Sequence, residues 1–102
     1  MVSEYVMKMI PKLQQMLTKQ PIEKAWLFGS CSRGEETPTS DIDLLVEYQK
    51  DATITLFTIS RIMLELKEGL NRDVDLIEDG CLLPFAVESA ERDKILIYER
   101  GN

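Results

Sequence analysis

The sequence predicts a small α/β (α+β) fold, a short mixed sheet with helices packed against it, as a single domain over residues 1–102. Three observations predict it. Apolar residues recur at helical spacing in two long segments, 2–17 and 54–70. Short apolar runs at 24–28, 41–47 and 72–77 are bounded by turn-forming residues. Helical and extended patterns alternate along the chain, which sets helices against a sheet rather than against one another.

In the first segment Val2, Tyr5, Val6, Met9, Ile10, Leu13, Met16 and Leu17 share one helical face. Pro11 falls inside it, so the helix is expected to kink or restart there, and Gln20-Pro21 closes it. Lys24 to Phe28 reads as an apolar strand running into Gly29, and residues 30–34 as a brief helix or turn. Residues 35–40 form a polar loop broken by Pro38, and Asp41 to Glu47 is the second strand. Ile54, Leu56, Phe57, Ile59, Ile62, Met63, Leu66 and Leu70 again follow helical spacing, and Gly69 is the expected C-terminal breaker. Arg72 to Ile77 reads as a third strand, Pro84 to about Arg92 as a third helix, and Ile95 to Tyr98 as a last short strand or helix end.

Composition narrows the function. The chain is 44% hydrophobic and 29% charged, as an ordinary globular domain is. No apolar run approaches the ~20 residues of a membrane helix. Met1-Val2-Ser3-Glu4-Tyr5 lacks the basic and apolar regions of a signal peptide. The expectation is a cytoplasmic protein without a membrane partner. Cys31 and Cys81 make neither a disulfide framework nor a zinc pattern, and are expected to be reduced and structurally incidental. The absence of histidine excludes His-based general-base and His–Cys nucleophile schemes. A net charge of −6 without a basic cluster argues against a nucleic-acid partner and suits a basic protein partner.

The chemistry concentrates in Leu27-Phe28-Gly29-Ser30-Cys31-Ser32-Arg33-Gly34 and Ser40-Asp41-Ile42-Asp43-Leu44-Leu45-Val46. On a strand, Asp41 and Asp43 project from the same face. Two adjacent carboxylates repel each other and make sense around a divalent cation. A Gly-Ser turn opening a helix presents backbone N–H groups to a phosphate. Asp75 offers a third carboxylate on its own strand, and converges with Asp41 and Asp43 if the two strands are neighbours. Three carboxylates hold two Mg²⁺ ions about 3.5–4 Å apart, the arrangement for in-line attack on phosphorus. In that scheme Asp41 and Asp43 bind both metals, while Asp75 binds the metal that activates the acceptor hydroxyl and accepts its proton. Asp73 lies on the same strand face as Asp75, and alternation alone does not choose between them.

These segments resemble the signature of the minimal nucleotidyltransferase (MNT) family, within the polymerase-beta-like nucleotidyltransferase superfamily. Val74-Asp75-Leu76-Ile77 is similar to that family's third-aspartate strand, which favours Asp75 over Asp73. Ser32 stands where the family often has Ala. The resemblance implies a minimal nucleotidyltransferase fold and Mg²⁺-dependent transfer of AMP from ATP, with Asp41, Asp43 and Asp75 catalytic and metal-binding. It implies that Gly29 and Ser30 bind the triphosphate, with Arg33 and Ser40 beside it. It also implies a partner, a HEPN-type ribonuclease toxin adenylylated on a tyrosine, and hence a hetero-oligomer in which this chain is the antitoxin. Two other readings follow from the same residues: a binding module that neutralises its partner sterically, and a nucleotidyltransferase acting on a small molecule such as an antibiotic. Candidate partner surfaces are the helix bearing Met7, Met9 and Met16, and the run Leu82-Leu83-Pro84-Phe85.

Overall fold

Ser3 starts the first helix. Its hydroxyl accepts a hydrogen bond from the Val6 N–H at 3.2 Å, satisfying one of the amides that a helix N-terminus leaves without a partner. The structure, a computed structural model, describes residues 2–82 and 84–101. Helix α1 (Glu4–Leu17) runs unbroken through Pro11, contrary to the expected restart. Pro11 lies on the exposed face, and the missing N–H removes only the bond to the Met7 carbonyl. Val6, Met9, Leu13 and Leu17 form the buried stripe.

The remaining elements are β1 (Ile22–Phe28), α2 (Ser30–Arg33), β2 (Ile42–Tyr48), α3 (Leu56–Leu70), β3 (Val74–Glu78), α4 (Pro84–Asp93) and β4 (Ile95–Glu99). The alternation read from the sequence therefore holds, and 95–99 is a strand. The sheet order is β3-β2-β1-β4. β1 pairs antiparallel with β2 and β4, whereas β2 and β3 are parallel. A parallel pair needs a long crossover, and α3 supplies it. Both ends of α3 are capped. Thr55 and Thr58 exchange side-chain-to-backbone bonds at 3.2 Å, and Asn71, at φ 57°, donates its N–H to the Lys67 carbonyl at 2.7 Å. Asn71 thus terminates the helix in place of the expected Gly69. Gly69 has a packing role instead, because a Cβ there would fall 2.3 Å from the Met16 methyl group.

One core cluster joins α1 and α3 to one sheet face, with Ile22, Leu27, Leu44, Val46 and Val74 from the strands meeting Leu13, Ile62 and Leu66 from the helices. Leu45 is fully buried yet lies outside that cluster, since alternation turns it to the opposite face. Lys94 Nζ sits 4.7 Å from the Trp26 ring, and Trp26 pairs with Leu45 in the ladder. Not every residue of the apolar pattern is core: Leu56 and Phe57 are 81% and 88% exposed. Of the candidate partner surfaces, Met9 is core, Met16 packs on Gly69 and Met7 is exposed. Phe85 is 83% exposed, while Leu83 lies outside the described residues. Among the described residues no helix is long and apolar enough to cross a membrane.

The two kinds of apolar position on α3 separate by measurement. Leu66→Ala should cost about 2–5 kcal/mol in urea unfolding, and Phe57→Ala should stay within about 0.5 kcal/mol.

Candidate active site

The β2–β3 ladder sets Asp43 directly opposite Asp75. The Ile42 N–H donates to the Asp73 carbonyl at 2.9 Å, which locks this register one residue upstream. Alternation then points Asp43 and Asp75 to the face away from the helical core, with Leu45 and Ile77 beyond them on the same face. Asp43 is half-buried, whereas Asp75 is exposed. β2 begins at Ile42, so Asp41 precedes the strand instead of opening it, and is exposed.

Burial pushes the Asp43 carboxyl up to about 6. The charges of Asp75 and Asp41 and a side-chain hydrogen bond with Asp75 add to the rise, and Arg33 opposes it weakly. Asp41 is therefore close enough to act on Asp43 through its charge. Asp73 is committed elsewhere, in an ion pair with Lys67 at 3.0 Å. That leaves Asp75 as the partner of Asp43, which alternation alone did not decide.

Gly29 forms the wall next to Asp43. Its φ of 73° and ψ of −152° lie in a region that is essentially glycine's alone. A Cβ at this position would fall 2.5 Å from Asp43 Oδ2. The backbone thus passes the carboxylate at a distance that only glycine permits. α2 follows at once, and its opening amides at Ser30 and Cys31 have no acceptor within the helix. Ser32 is buried and donates its hydroxyl to the Gly29 carbonyl at 2.8 Å, so its polar group is satisfied and ties down the turn. Cys31 is buried, its thiol pushed up by burial and by the charges of Glu36 and Asp43; Cys81 is exposed. Both cysteines are free.

Arg33 points to α4. It pairs with Glu35 at 2.8 Å and with Asp93 at 3.1 Å. Ser40 holds the approach to Asp41 by accepting from the Thr37 N–H at 2.8 Å. Arg72 donates to the Thr37 carbonyl and lies over the Tyr5 ring at 4.7 Å, which fixes the 35–40 loop to α1 and to the end of α3. Sequence reasoning missed Asp93 and Arg72. Their partners are 60 and 35 residues away, and neither residue belongs to a local motif.

The donor set fits a hard divalent cation. It is all oxygen, and Mg²⁺ binds through one or two carboxylates completed by phosphate oxygens and water. A cation between Asp43 and Asp75 would also relieve the repulsion that raises the Asp43 carboxyl. Among the described residues no three acidic, His or Cys side chains stand close enough to hold an ion together. The structure therefore brings together the Asp43–Asp75 pair, with Asp41 at its margin, and not the full three-carboxylate cage expected from the sequence.

Residues 11–102 match the family described as polymerase beta, nucleotidyltransferase. A relative from Methanocaldococcus jannaschii, named as a candidate protein adenylyltransferase, is 34% identical over 95 residues, covering 93% of this chain and 90% of its own. A solved structure assigned by inference as a minimal nucleotidyltransferase is 28% identical with a TM-score of 0.72, covering 93% of this chain and 95% of the other. A chain of the complex between the tri-AMPylated HEPN toxin of Shewanella oneidensis and its MNT antitoxin shares the fold, with a TM-score of 0.68 at 18% identity over 93% of this chain and 73% of that one.

Two outcomes test the geometry. The Asp43 carboxyl sits near 6 in the folded protein against an ordinary 3.8, so the folded state holds a proton that the unfolded chain releases between those values. Stability from this group is greatest below about pH 4 and falls as pH rises through about 6. Asp43→Asn should therefore raise Tm at pH 7.5, with the advantage shrinking towards pH 4. Gly29→Ala should cost about 1–3 kcal/mol from backbone strain alone, and the collision with Asp43 should make Asp43→Asn unable to restore Tm fully in the double variant.

Proposed function

The chain belongs to the polymerase beta nucleotidyltransferase family, and from that premise we propose that it transfers AMP from ATP to a tyrosine of a partner HEPN-type ribonuclease toxin, as the antitoxin of the pair. One observation carries the chemistry: the opposed Asp43 and Asp75 carboxylates beside a turn that only glycine can form. The name of the M. jannaschii relative and the AMPylated toxin in the S. oneidensis complex support the acceptor class.

In this reading Asp43 and Asp75 would hold one Mg²⁺. A second ion would require Asp41 to turn inward when nucleotide binds. Bound there, Mg²⁺ supplies neutralisation of the phosphate charge that builds up during transfer. The protein's own part is positional. The Ser30 and Cys31 amides receive phosphate oxygens, and Gly29 allows the phosphate chain to lie against Asp43. The tyrosine oxygen bonds to the α-phosphorus of ATP as the α–β phosphoanhydride bond breaks and pyrophosphate leaves, and Asp75, which is exposed, accepts the tyrosine hydroxyl proton. Arg33 and Asp93 hold α2 in place from the other side.

Intact-protein mass of the candidate toxin, after incubation with this protein, ATP and Mg²⁺, should show a gain of one or more AMP groups. Asp43→Asn and Asp75→Asn should each lower the rate by at least about 100-fold, the scale of losing one preorganised electrostatic group, and Asp73→Asn should leave it nearly unchanged. A complex that forms and neutralises the toxin with no mass gain would replace transfer by steric binding.

A further inference from the structure

The chain carries 12 basic residues against 18 acidic ones. Among the described residues most of the cations are spent. Lys8, Lys24, Arg33, Lys67, Arg92 and Lys94 are ion-paired. Arg72 and Arg100 donate to backbone carbonyls and lie over tyrosine rings. Lys12, Lys19, Lys50 and Arg61 have no such partner. Three of these four, Lys12, Lys19 and Arg61, line a single open groove of about 640 Å³ between α1 and α3. Cations gathered in one groove without ion-pair partners repel one another, and nothing in the fold requires these three to meet.

The groove holds one acidic side chain, Glu65, whose carboxylate accepts from the buried Gln20 amide and offsets one of the three positive charges, leaving the groove net positive. The floor is Met16, and the remaining lining residue is Gln15. No aromatic ring lines the groove, so a nucleobase would find nothing to stack on. Apart from Met16 there is no apolar pocket for the anchor side chain that a peptide ligand uses. Lys12 lies on α1 and Lys19 in the turn just past its C-terminus, with Arg61 facing them from α3. Three cations spread over two helices and a turn suit a chain of several negative charges better than a single anion. Arg offers a planar fork to phosphate oxygens and Lys a point charge.

We infer that the α1–α3 groove is a second anion site, which binds an oligophosphate through Lys12, Lys19 and Arg61 and reads its charge alone. The site is separate from the carboxylates. Gln20 precedes β1 at the end where Ile22 pairs with Tyr48, whereas Asp43 pairs with Phe28 at the other end. The oligophosphate is either inorganic or the tail of a nucleotide. The inference does not rest on AMP transfer, and failure of transfer would leave it standing.

The test is isothermal titration calorimetry with sodium tripolyphosphate, and separately with ATP, at low salt in EDTA so that no divalent cation recruits ligand to the carboxylates. Tripolyphosphate should bind, and binding should weaken at least tenfold in the Lys12→Gln/Lys19→Gln/Arg61→Gln variant. All three side chains are exposed, so its melting curve should match the parent's. Lys50→Gln removes the fourth unpaired cation, away from the groove, and should change nothing. Equal affinity for ATP and tripolyphosphate identifies the free oligophosphate chain as sufficient; tighter ATP binding, lost in the triple variant, identifies a nucleotide tail. Absence of tripolyphosphate binding, or binding unchanged in the triple variant, overturns the site, as does binding only by a poly-glutamate peptide.

Discussion

The structure is organised around an unfavourable contact. Asp43 and Asp75 face each other across parallel strands, and Asp43 is partly withdrawn from water. Neither carboxylate gains from that arrangement, and a protein selected for stability alone would separate them. The ladder does not allow separation, because a slip of one residue would turn every side chain of β3 to the other face and drive Val74 out of the core. Keeping the register is the task of α3. Its buried Ile62, Leu66 and Leu70 join the core cluster that holds Leu44 and Val46 of β2 and Val74 of β3. Each fully buried aliphatic side chain contributes about 1.5–3 kcal/mol, enough in sum to hold two like charges in place.

A second constraint follows from the first. A carboxylate fixed in position can have a phosphate-sized ligand beside it only if the neighbouring backbone leaves room. Gly29 does so by adopting a conformation closed to other residues. That turn is then secured on both sides, by the Ser32 hydroxyl on the Gly29 carbonyl and by the pairing of Arg33 with Asp93 at the end of α4. The helix that buries little else, Ala90 alone among its residues, thus gains a role as the far anchor of the Gly29–Ser30 turn.

Local pattern carried most of this into the sequence. The two amphipathic segments, the short apolar runs between them and their alternation carried the class of fold, the Gly29-Ser30 turn and the Asp41-Ile42-Asp43 spacing marked the site, and the resemblance of the two motifs to a known family singled out Asp75. What the sequence hid was set by partners distant in the chain or by competing end signals. Gly69 looked like a helix stop, but Asn71 takes the left-handed position and Gly69 makes room for Met16. Leu56 and Phe57 fit the apolar period yet precede the part of α3 that reaches the sheet. Asp41 looked like part of the strand, but the ladder begins one residue later, so only one of the two motif aspartates sits in register with Asp75. Arg33 looked free to meet a phosphate until Asp93, 60 residues later, claimed it.

Under the proposed function, the commitment of Arg33 decides how a nucleotide would reach the site. Asp41, Asp43 and Asp75 present negative charge, and the nearest cation, Arg33, is already shared between Glu35 and Asp93. A polyphosphate arriving alone would meet repulsion with little to offset it, so the positive charge has to travel with the nucleotide. On the proposed function, a metal–nucleotide complex would bring it. The Asp43 carboxyl, near 6, still holds a proton part of the time close to neutral pH. Metal ligation would require the charged carboxylate, so binding would release that proton and strengthen as pH rises through this range. The repulsion built into the parallel strands would thereby favour a ligand that carries its own cation.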